Sequence, residues 1–177
     1  MVPELKPWLE RKFTLELPDW RFPLELERLR AIPASVEDLT LRLDRTTLTT
    51  RLHDKWSIQE HVGHLLDLEA LGEGRLADYA AGLPTLRAAD MSNARTNLGD
   101  HNSAEIGALC RQFRQARGRF VRRLETLTAA EQQWRALHPR IKLELRPVDL
   151  MYFIAEHDNH HLARISSIIR ETDSFKR

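Results

Sequence analysis

One cysteine, Cys110, stands among 177 residues, so no disulfide can form within the chain and a zinc site built on cysteine is excluded. That usage fits a reducing compartment, and a cytoplasmic protein is expected. No stretch approaches the roughly 18 consecutive apolar residues of a membrane span. The opening MVPELKPWLERKFTLEL scatters charges among its apolar residues and lacks the apolar core of a signal peptide. An excess of one charge is missing too. The 27 Lys and Arg balance 26 Asp and Glu, which argues against a nucleic-acid partner. No Gly-rich loop is present to cradle phosphate, and no G-x-S-x-G elbow to expose a serine nucleophile. No Glu has a His three residues after it, so the di-iron class of helical bundle is excluded.

What remains is 42% hydrophobic and 30% charged, the composition of a folded chain of a length suited to a single domain, 1–177. Residues 1–22 hold Trp8, Phe13, Trp20 and Phe22 among three prolines, an aromatic content suited to a strap lying over the domain. Within it, FTLEL could form a short strand. From residue 23 to 171 the pattern is helical. Leu26, Leu29, Ile32, Val36, Leu39 and Leu43 recur every three or four residues. Pro33 lies inside this run, predicting a kinked helix or two short ones. In KWSIQEH, Ser57 and Glu60 have capping-box spacing, and Trp56 is placed to staple onto His61. That second helix runs to about Ala81. Residues 82–101 are polar and aperiodic, which predicts a long loop. Asn102 and Glu105 repeat the capping spacing before a third amphipathic helix bearing Cys110 on its apolar stripe. Arg111, Arg114, Arg119, Arg122 and Arg123 lie around its outer part and read as a solvated face. A last helix spans about Val148 to Glu171. Long amphipathic helices with short connections predict an all-α, four-helix bundle.

The last helix contains AEHDNHHLARISSII. At roughly 100° per residue, His157 and His161 lie one turn apart on the stripe that also holds Leu150, Phe153, Ile154, Ile165 and Ile168. His160 falls to the flank, facing solvent or the rim of a pocket. Two imidazoles on an apolar face need polar partners where few exist, and an i, i+4 pair can grip one ion. EHVGHLL supplies His61 and His64 as a third ligand, and the helical wheel does not choose between them. Three imidazoles favour zinc, nickel, copper or iron and leave a position open for water or substrate. HDNHH is one methylene short of the zincin HExxH pattern and has no downstream ligand. Asp158 reads as a partner for a ligating imidazole or for an arginine on a neighbouring helix. His53, His101 and His138 read as ordinary loop histidines.

KWSIQEHVGHLLDLE at 55–69 and HDNHHLARI at 157–165, in that order and separation, resemble the DinB-like superfamily of metal-binding four-helix bundles, which includes the YfiT-type proteins regarded as metal-dependent hydrolases. The resemblance extends from about Leu24 through Arg170. It implies that His64, rather than His61, joins His157 and His161 as metal ligands. It also implies an up-down-down-up bundle whose middle connection crosses along the bundle, a zinc or nickel ion, and a homodimer. Relatives include transferases that use a low-molecular-weight thiol, so the resemblance implies either a hydrolase or a thiol-dependent transferase acting on a small molecule. The competing expectation is a non-catalytic helical protein whose histidines bind metal for stability or satisfy one another in the core.

Overall fold

The structure, a computed structural model, describes residues 4–175. Four long helices carry the architecture: α1 (Phe22–Thr40), α3 (Ile58–Ala80), α5 (Ile106–Glu125) and α6 (Pro147–Phe175). Two one-turn helices, α2 (Arg45–Thr49) and α4 (Ala94–Leu98), lie in the connections, and a minimal antiparallel hairpin of β1 (Ala136–Leu137) and β2 (Glu144–Leu145) precedes α6. Each of α1 and α3 packs against both α5 and α6.

Cross-helix pairs fix the directions. Leu29 meets Arg117 while Thr40 meets Cys110, so α1 and α5 run oppositely. Glu69 meets Arg117 and Glu73 meets Arg123, so α3 and α5 run together. His61 meets His161 while Gly72 lies against Ile154, so α6 opposes α3. The bundle is therefore up-down-down-up, as expected. Its parallel middle pair requires the long connection through residues 81–105, within which α4 forms.

The α3 start is the expected capping box: the Ser57 amide donates to Glu60 Oε2 at 2.8 Å and the Glu60 amide to Ser57 Oγ at 3.1 Å. Two local expectations are corrected. Residues 13–17 form no strand; their apolar side chains Leu15 and Leu17 pack on the core, and the Leu17 amide donates to Asp149 Oδ1. The cap of α5 is Glu105, which accepts from the Gly107 and Ala108 amides, because the Asn102 carbonyl oxygen of the side chain is occupied by Ser57 Oγ at 2.8 Å. Of the two alternatives at Pro33, the single helix holds: α1 is continuous across it.

Pro33 survives because its missing amide is replaced. An α-helix would pair that amide with the Leu29 carbonyl. Here the Leu29 carbonyl accepts instead from Arg117 Nη1 at 3.2 Å. The same guanidinium donates to Glu69 Oε1 at 2.6 Å and to Asp158 Oδ2 at 2.7 Å, and it lies 5.1 Å from the centre of the Phe113 ring. Arg117, Glu69 and Asp158 are all buried. Burial pushes both carboxyls up, and the arginine opposes it; for Arg117, burial works against the charge, but Asp158 and Glu69 hold it firmly protonated.

One guanidinium thus joins all four long helices, and removing it strands two buried carboxyl groups. Arg117→Met is expected to cost about 3–5 kcal/mol in urea unfolding. Replacing Arg117, Glu69 and Asp158 together by Met, Met and Leu should recover most of that loss. A triple variant as unstable as the single one would show that the cost does not come from stranded charge.

Candidate metal centre

Helix α6 presents His157 and His161 on successive turns, with their Nε2 atoms 3.2 Å apart. Helix α3 brings His64 to the same point, and one nitrogen from each of the three rings lies within 4.8 Å of the others. Two imidazole nitrogens bound to one tetrahedral ion at about 2.0–2.1 Å would stand roughly 3.3 Å apart, so the α6 pair already has the spacing that a shared ion requires. His61, left open by the sequence, stands elsewhere: its Nδ1 lies 2.8 Å from His161 Nδ1.

Two of the three outer nitrogens, those of His64 and His161, are held by neighbours. Thr96 Oγ1 donates to Asp67 Oδ2 at 3.0 Å, so it accepts from His64 Nδ1 at 3.0 Å. The proton is thereby placed on His64 Nδ1, which leaves the Nε2 lone pair free. His161 Nδ1 has His61 for the same purpose. Asp67 is fixed in turn by His101 Nε2 at 2.9 Å and Arg95 Nε at 3.0 Å. Gly63 makes room for that arrangement, since a Cβ there would lie 2.2 Å from the His101 ring.

Two indoles wall the cluster. Trp56 staples edge-on to His61 as expected, at 5.6 Å between ring centres, and also covers His64 at 4.7 Å. Trp8 brings the N-terminal strap to within 5.0 Å of His157. His160, expected on the flank against solvent or the rim of a pocket, is buried on the cavity wall: Trp8 and His161 cover it and its Nδ1 has no partner among the described residues. Burial keeps every one of these imidazoles neutral at pH 7. It lowers His61 to about 3 and His64 to about 4, and with neighbouring positive groups it takes His157 and His161 well below the ordinary value. Neutral rings with free lone pairs are ligands rather than cations.

The histidines open onto a cavity of about 480 Å³ whose apolar wall includes Leu68, Phe120, Phe153 and Ile154. Asp158 does not face an imidazole as a partner; it pairs with Arg117. Cys110 is buried beside Thr40, with its thiol pushed up by burial, and is a core residue. His53 is exposed and pairs with Glu171. Thr96, Asp67 and His101 escaped sequence reasoning because they meet His64 only through the folded loop. Arg117 left a signal, lying four residues after Phe113 and three before Phe120 on the stripe of α5.

An up-down-down-up bundle with three converging histidines near a cavity defines a class of helical metal-site protein. The chain belongs to the DinB superfamily, whose sequence pattern it matches over residues 27–165. Its fold is similar to that of YfiT from Bacillus subtilis, described as a probable metal-dependent hydrolase with an unusual four-helix bundle topology. The two share 21% identity and a TM-score of 0.81, over 93% of this chain and 94% of that one. Comparison with curated proteins gives no match.

The depressed histidines set the acid stability of the metal-free protein. Each takes a proton in the unfolded chain near pH 6.5 but in the folded chain only far below; for His61 and His64 that is about 3 and about 4. Unfolding therefore takes up protons below pH 6.5, and stability present above that value is lost as pH falls. The loss at pH 4 is on the order of 3 kcal/mol for each of His61 and His64, together comparable with the stability of a whole domain. Circular dichroism of chelator-treated protein should show cooperative unfolding between pH 6.5 and 4. A chain still folded at pH 4 would contradict this.

Proposed function

We propose that His64, His157 and His161 hold one divalent ion, zinc or nickel, and that the protein is a metal-dependent hydrolase of a small molecule. The observation that carries this reading is the convergence of three neutral imidazoles on one point, with the outer nitrogens of His64 and His161 engaged by Thr96 and His61. Such a donor set suits a borderline-soft ion and leaves a coordination position open. An ion bound there would supply Lewis acidity toward a water, a thiol or a substrate carbonyl. The chain's own residues do the rest. Thr96 and Asp67 hold the His64 proton on Nδ1, His61 orients His161, and Trp8 and Trp56 limit water access to the rings. The relative's description as a hydrolase favours hydrolysis. A cavity of about 480 Å³ would also admit a low-molecular-weight thiol beside a small substrate, which is the alternative chemistry.

Protein purified without a histidine tag should carry about one divalent ion per chain by elemental mass spectrometry. His64→Ala, His157→Ala and His161→Ala should lose it, while His61→Phe should weaken it by about 10–100-fold. Hydrolysis of an ester, lactone and amide panel should fall at least about a hundredfold on chelation and in His64→Ala. Turnover that requires added thiol would move the assignment to a transferase. Absence of metal from wild-type protein reconstituted with zinc or nickel would leave a non-catalytic helical protein.

A further inference from the structure

The cavity has a second polar cluster, one helical turn along α6 from His157, around Phe153. His138, expected to be an ordinary loop histidine, is 2% exposed and its ring lies 4.9 Å from that of Phe153. Its Nδ1 accepts the Arg140 and Ile141 amides at 3.3 and 3.4 Å. The proton therefore sits on Nε2, and that buried donor has no partner among the described residues. Arg140 also has a buried Nη2 with no acceptor, and its guanidinium carbon stands 5.5 Å from Trp8 and 5.3 Å from Phe153. Arg75, 4% exposed, spends its Nε on the Arg87 carbonyl at 3.2 Å. All three residues line the cavity that the metal-centre histidines also line.

Among the described residues, neither Arg75 nor Arg140 has a carboxylate within ion-pair distance. The acidic side chains on the cavity wall are committed elsewhere, Glu69 and Asp158 to Arg117 and Asp90 to Ser92 and the Ala94 amide. Burial lowers Arg75 to about 10 against the opposing pull of Tyr79 and Asp78, whose carboxylate is itself paired with Arg87, and burial with both arginines lowers His138 to about 4. Buried donors without acceptors are rare in folded proteins and costly. Here two guanidinium groups without a carboxylate partner and one unpaired N–H donor line one cavity, and the complement is an anion with several acceptor oxygens.

We propose that Arg75, His138 and Arg140 form an oxyanion-binding subsite, so that the cavity takes a small amphiphile bearing a carboxylate or phosphate ester. Its apolar body lies along Phe153 and Ile154, and its reacting group reaches the histidines. A single indole, Trp8, touches both Arg140 and His157, so a short ligand spans the two ends. Placing the reacting group rests on the metal-dependent reading above; the subsite itself does not.

The test therefore uses full-length chelator-treated protein, with 4-phenylbutanoate, phenyl phosphate and neutral 4-phenylbutanamide titrated by calorimetry. One or both anions should bind at least tenfold more tightly than the amide, and the tighter of the two identifies the head group. Arg140→Met and Arg75→Met should each weaken that binding at least tenfold and abolish the ligand-induced rise in melting temperature. Arg140→Lys, which keeps the charge, guards against a variant that misfolds and should show an intermediate loss. Equal affinity for acid, phosphate and amide, or unchanged affinity in both folded methionine variants, would overturn the subsite. Zinc binding measured on the same variants should be unaffected, which separates failure here from failure of the metal assignment.

Discussion

The buried guanidinium of Arg117 is the constraint on which the arrangement of the bundle depends. It touches a carbonyl of α1, a carboxylate of α3 and a carboxylate of α6 from its own position on α5. Hydrophobic packing alone tolerates sliding of one helix along another, because leucine and valine stripes repeat. A guanidinium with fixed donor directions does not. Its burial is expensive, and the expense falls on any register in which one of its partners is missing. The proline in α1 belongs to the same solution, since it exposes the very carbonyl that the guanidinium takes.

Register then becomes chemistry. Asp158 directly follows His157, and Glu69 lies five residues after His64, so pinning Asp158 and Glu69 to one guanidinium sets His157 and His161 against His64. The α6 pair would be one turn apart in any helix. What the fold adds is the third ring, from an antiparallel neighbour nearly a hundred residues earlier, and a set of partners that hold its proton on the outer nitrogen. The cavity extends from those rings toward Phe153, so the apolar stripe of α6 is at once a packing surface and part of the cavity lining.

Much of this was legible in the sequence because helices obey a short period. The stripes of the four long helices, the Ser57 capping box, the Trp56 staple and the His157 and His161 pair all follow from spacing. Within α3 the wheel could not separate His61 from His64, because both fall toward the apolar side and only the position of α6 distinguishes them. Family resemblance favoured His64, and the folded geometry brings His64 into the cluster while placing His61 behind His161. His160 lines the cavity, one of the two settings its flank position allows, and is buried there because the N-terminal strap lays Trp8 over it. His101 and His138 lie in connections, where no periodicity reports burial. The outer arginines of α5 could be read as a solvated face, and several do pair there with surface carboxylates. Arg117 interrupts an aromatic stripe, a signal that becomes informative only when a charge at a stripe position is asked for its partners.

The proposed function stands or falls on the sharing of one ion by three imidazoles from two helices. X-ray absorption spectroscopy of the zinc-loaded protein reads that shell directly. The expected spectrum has a first shell with three nitrogen scatterers at about 2.0–2.1 Å, imidazole multiple scattering from all three, and loss of one imidazole contribution in His64→Ala. A shell without imidazole scattering, or a spectrum unchanged by His64→Ala, would contradict it.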